Sequence, residues 1–131
     1  MSLSLRFASA AVLMLSPAAL FAAWVPGAEL VGQSAKVETG GVTNTVYFDA
    51  GGKARIASQG GTMVDASWTA SNGQLCLYGN GASECWPYRQ PFQAGQVVSL
   101  TSSCAAQSRW LAENVNELPP EQPPQIAPER G

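Results

Sequence analysis

The residues with the most chemistry open to them are three cysteines. Cys76 and Cys85 flank an Asn80-Gly81 pair in QLCLYGNGASECWPY, and Cys104 follows further on. Thiolates bind metals, exchange electrons or crosslink. A closed zinc centre takes four Cys or His ligands, whereas this chain has three cysteines and no histidine. No metal site is therefore expected, and no cofactor is implied. A redox pair usually stands as Cys-x-x-Cys, closer together than these two. The odd thiol, Cys104, is left as a free group, a link between two chains, or a partner to one of the other pair.

Acid-base chemistry is equally restricted. The lack of histidine removes the commonest general base and the Ser-His and Cys-His nucleophile pairs. The acids of the central region are Glu29, Glu38, Asp49, Asp65, Glu84 and Glu113. Asp49 reads as a turn residue and Asp65 as the start of a strand. Glu84 has two readings. One is a carboxylic acid in an aromatic pocket with a raised pKa, able to act as a general acid. The other is a wet residue near a hairpin end, and its position three residues from the turn favours this. Arg55, Arg89 and Arg109 can pair with it or bind an anion, but such arginines are mostly surface groups.

The elements that position these groups begin with turns. Asn-Gly is the strongest short signal for a two-residue β-hairpin, because both central positions need positive φ. Counting outward from Asn80-Gly81 sets Leu77 against Glu84 and Cys76 against Cys85. That cysteine pair falls on a non-hydrogen-bonded step, with Cα atoms about 4.5 Å apart, within reach of a disulfide. In an oxidising compartment the reading is a structural staple. The chain-entropy model assigns it roughly 2.5 to 3 kcal/mol.

A second turn, Asn72-Gly73, sets Ala70 against Leu75 and Trp68 against Leu77. Alternation then places Trp68, Ala70, Leu75, Leu77 and Trp86 on one face of a three-stranded meander, and Thr69, Cys76 and Cys85 on the other. The two turns, placed independently, give one coherent aromatic face. TNTVYFD, KARIAS, QVVSLTS and SRWLAEN read as further strands, with CAAQ turning the last pair. The fold expected is all-β: an antiparallel meander of about seven strands, stapled by a disulfide and closing into a small barrel or a strongly curled sheet.

Residues 1–23 have one positive charge, Arg6, ahead of an uncharged Ala- and Leu-rich run that ends in small residues. This is the build of a secretory signal peptide, with cleavage as late as residue 28. The β domain is expected over residues 29–116. Residues 117–131 read as a Pro-rich, solvated tail. Seven Lys and Arg, one of them Arg6, stand against nine Asp and Glu. With no basic cluster, nucleic acid is not an expected partner. No cysteine precedes Cys76 to carry a lipid, so a periplasmic or secreted product without a stable membrane anchor is expected.

VYFDAGGKARI, ASWTASNGQLCLYGNGASECWPY and FQAGQVVSLTSS together resemble the small exported lipocalin-like, calycin-type proteins of proteobacteria. The shared features are Phe-Asp-x-x-Gly, a Trp shortly before a turn, Leu-Cys, and Cys followed by an aromatic residue. The resemblance implies a β-barrel and export, and no particular reaction.

The function expected is non-enzymatic: a small binding or protein-interaction domain engaging an envelope protein, in the manner of an inhibitor. An alternative is a carrier holding a small apolar ligand against Trp68, Leu77, Glu84 and Trp86, and a third is an enzyme using Glu84. Trp68, Trp86, Trp110, Tyr47, Tyr88 and Phe48 can line a pocket or fill a core, and core is preferred because small barrels are filled by their own side chains.

Overall fold

The structure is a computed structural model that describes residues 24–118. The expected leader, and all but the first two residues of the expected Pro-rich tail, lie outside the described residues. Eight strands run in chain order: β1 Ser34–Thr39, β2 Val42–Phe48, β3 Lys53–Ala57, β4 Met63–Ser71, β5 Gln74–Gly79, β6 Ala82–Pro87, β7 Val97–Thr101 and β8 Gln107–Ala112. All pairings are antiparallel, in the order β6-β5-β4-β3-β2-β1-β8-β7. It is the expected meander with one strand more than the spacing suggested. The extra strand is β1, SAKVET, whose inward Ala35 and Val37 are small and separated by charged and polar residues. Its apolar alternation is too faint to announce a strand.

Both Asn-Gly turns form as expected. Asn72 and Asn80 have φ of 53° and 51°, with Gly73 and Gly81 at 72° and 74°. The register is the one counted from them: Trp68 faces Leu77, Leu77 faces Glu84, and Cys76 faces Cys85. The cysteines are bonded, with Cα atoms 4.0 Å apart.

Closure is nearly complete. The end strands β6 and β7 do not pair along their length. The seam is bridged just beyond β7 instead: the Ser103 backbone N–H donates to the Cys85 carbonyl at 2.8 Å, and the Cys85 N–H donates to Ser103 Oγ at 3.0 Å. The disulfide therefore staples the strand that carries this bridge.

The interior is filled by Phe48, Trp68, Leu75, Trp86 and Trp110, with Leu30 and Phe92 beneath them. Trp86 meets Trp110 edge to face at 5.0 Å, and Phe48 meets Trp68 the same way at 5.1 Å. This is the favourable quadrupole geometry for aromatic pairs. Of the six aromatic residues named above, all but Tyr47 thus belong to the core; Tyr47 lies half-buried beneath the Arg55 guanidinium.

One pole of the barrel is plugged. Residues 24–33 fold into successive turns across it, ahead of the expected domain start as well as after it. Leu30 and Glu29 are wholly buried there. Gly27, at φ 89°, lies so close to Trp68 that a Cβ would stand 2.8 Å from the indole ring. The opposite pole, where the β3–β4, β5–β6 and β7–β8 connections lie, is open.

Candidate functional site

The open pole holds the site the geometry favours. A cavity of about 400 Å³ is lined by Ile56, Val64, Ala66, Leu77, Glu84 and Trp86, with the β5–β6 turn and Cys104 at its rim. These side chains arrive from four adjacent strands because alternation turns every second residue inward. Ile56 and Val64 also face each other in register. Three of the four residues expected to touch a ligand, Leu77, Glu84 and Trp86, meet here. The fourth, Trp68, is not in this lining. It is buried lower in the barrel, its Nε1 donating to the Asp49 carbonyl at 3.0 Å and its ring against Phe48.

Glu84 is half-buried at the mouth, its Oε2 accepting from Ser102 Oγ at 3.1 Å. Ser102 is itself held on both sides: its Oγ accepts from the Cys104 and Ala106 backbone N–H groups at 3.2 and 3.4 Å. A hydroxyl has one proton to give and two lone pairs, so Ser102 is saturated and fixes the carboxylate in place. Cys104 is a free, exposed thiol in the β7–β8 turn. Beneath, the Nε1 groups of Trp86 and Trp110 are buried without hydrogen-bond partners among the described residues.

The arginines named as possible partners of Glu84 are placed elsewhere. Arg55 forms a two-pronged pair with Asp49 at 2.9 and 3.1 Å. That contact holds the Asp49 carboxyl below its usual range and raises the already high Arg55 value. Arg109 approaches Glu38 at 4.0 Å. Arg89 lines a separate cavity of about 370 Å³ along the β6–β7 seam, with Tyr88, Phe92 and Leu100.

A second carboxylate had no signal in the sequence. Glu29 is buried in the plug, where it accepts from Trp24 Nε1 at 2.9 Å, the Phe92 N–H at 3.2 Å and the Tyr88 hydroxyl. The Tyr88 oxygen in turn accepts from the Gly27 N–H at 3.0 Å. Burial first, and the neighbouring carboxylate second, push the Tyr88 phenol well above its ordinary value. Every partner of the Glu29 carboxylate but Trp24 comes from the distant β6–β7 loop, so local pattern reading had no means of finding the cluster.

No protein-family model matches the chain, and no curated protein or solved structure matches it at a significant level.

Proposed function

We propose that this protein is a small non-catalytic binding domain, periplasmic or secreted, that takes an apolar ligand into the open mouth of its barrel. The observation that carries the reading is the mouth cavity. Its volume of about 400 Å³ lies in the range of small-molecule sites, which favour the mouths of β-barrels and combine apolar walls with few polar groups. The aromatic core beneath, with Trp86 in the lining, gives the cavity a floor. Two of the acids outside it are committed to structure: Asp49 to Arg55, and Glu29 to three donors. Export is supported by the leader-like residues 1–23 and by the disulfide, which persists in oxidising compartments. Among the described residues no helix is long and apolar enough to cross a membrane. The sequence resemblance to exported lipocalin-like proteins implies a β-barrel and an export route as well.

The test is a titration of tryptophan emission with a neutral apolar probe such as hexanol, on wild type and on Ala66→Phe, which fills the mouth. Saturable quenching or a wavelength shift in wild type, lost in the filled variant at unchanged melting temperature, is the expected result. An unresponsive wild type, or an equal response in both proteins, overturns the reading.

A second reading keeps the same mouth and replaces the small molecule by an apolar side chain of an envelope protein. Its support is the rim, where Met63, Val64 and Tyr78 are exposed at 50, 37 and 41%. A photo-crosslinker placed at Tyr78 should then capture one recurrent protein in the producing cell. Recovery of the uncrosslinked domain alone would count against it.

A further inference from the structure

We infer that the mouth selects an apolar amine: a short hydrocarbon body carrying a protonated nitrogen that binds Glu84. This rests on the ligand-binding reading above and names the chemical class of its ligand.

The first support is charge. Among the described residues lining the cavity, Glu84 is the one charged group, and the rest are apolar or neutral. The cations of the described region are all engaged or distant. Lys36 pairs with Glu113 at 2.7 Å, Arg55 with Asp49, and Arg109 approaches Glu38. Lys53 begins β3 at the plugged pole, and Arg89 packs near Gly73 at that same pole. Among the described residues nothing basic comes to the mouth to neutralise the carboxylate.

The second support is hydrogen-bond supply. An ionised carboxylate offers about four acceptor sites, and Glu84 has a single side-chain donor, Ser102. Because Ser102 is locked by two backbone N–H groups, the carboxylate is held in place with acceptor capacity to spare. An ammonium group brings three donors and a positive charge. A carboxylate ligand would instead bring a like charge into a half-buried site, which costs free energy on both groups. An alcohol falls between: it donates one hydrogen bond and brings no charge. The opposite charge and the added donors of the ammonium are worth about a tenfold difference in affinity over the alcohol.

The experiment compares hexylamine, hexanol and hexanoate at neutral pH on the protein carrying its disulfide. Two readouts are followed, tryptophan emission and the rate at which iodoacetamide alkylates Cys104 at the rim. Expected are binding of the amine about tenfold tighter than the alcohol, hexanoate weakest, and protection of Cys104 in proportion to occupancy. Glu84→Gln should remove the preference of the mouth for the amine over hexanol. Equal binding of all three by wild type, or an amine preference that survives in Glu84→Gln, overturns the inference while the ligand reading stands. If none of the three alters emission or alkylation, the ligand reading itself fails. The wild-type comparison alone decides between these, whatever the variant's stability.

Discussion

Glu29 shows how much one buried side chain organises here. Its carboxylate gathers Trp24, Tyr88 and the Phe92 amide around a wholly buried point. Replacing it with Leu leaves three donors without an acceptor, each a desolvation cost of about 1–3 kcal/mol when fully buried. Urea unfolding should show a loss of about 3 kcal/mol or more for Glu29→Leu, the three costs acting together, and a smaller one for Glu29→Gln, which keeps one acceptor. Tyr88 adds a pH dependence of definite sign. Its folded pKa is raised, so between the ordinary tyrosine value near 10 and the folded value the native state holds a proton that the unfolded chain has released. Stability should be level below about pH 10 and fall as pH rises above it, and Tyr88→Phe should remove that fall in melts followed across the alkaline range. Asp49 acts on the acid side in the opposite sense. Its lowered pKa supplies stability above about pH 4 that disappears as pH falls through the folded value, and its exposure to solvent keeps that contribution small.

At the scale of elements, two hairpins and a plug carry the construction. The β5–β6 hairpin is held by its turn and by the bond between Cys76 and Cys85. The double variant Cys76→Ser with Cys85→Ser should lose about 2.5 kcal/mol, the chain-entropy value for a loop of about ten residues, and mild reduction of the wild type should lower its melting temperature comparably. The plug has its own weak point in Gly27, where φ is 89° and an added Cβ would strike the Trp68 ring. Gly27→Ala combines left-handed strain with a ring displacement, and its melting temperature should fall by more than that of Gly40→Ala, whose Cβ would meet nothing. These elements were not equally legible in the sequence. The hairpins were readable because Asn-Gly dictates its own turn geometry, and the turn then fixes which cysteines meet. The mouth residues Leu77, Glu84 and Trp86 followed from the same counting. Strand β1 was hidden by its small inward residues. Trp68 was counted onto the correct face at a depth that strand alternation does not encode. The plug depends on bonds such as Gly27 to Tyr88, formed between segments far apart in the chain, and Cys104 reaches the mouth only because the barrel nearly closes.

The whole molecule is a barrel with unlike poles, one sealed by residues 24–33 and one open. Trp24 belongs to the seal through its bond to Glu29 and its edge-on contact with Tyr88 at 5.1 Å. Cleavage of the expected leader ahead of Trp24 would keep the seal whole, whereas a chain beginning at Glu29 lacks Trp24 and Gly27. Intact mass of the exported protein should therefore place its first residue at or before Trp24, and a form starting at Glu29 should melt at a lower temperature. The far end of the domain returns to the same pole. Asn116 donates from Nδ2 to the carbonyls of Ala28 and Val31, accepts from Gln33 Nε2, and donates its backbone N–H to the Glu29 carbonyl. Entry and exit of the folded chain are thus fastened side by side, on the face turned away from Glu84. A bead, a fluorescent protein or a cell-wall anchor attached ahead of Trp24 or after Asn116 would hang from the back of the barrel, and the tethered domain would present its mouth outward.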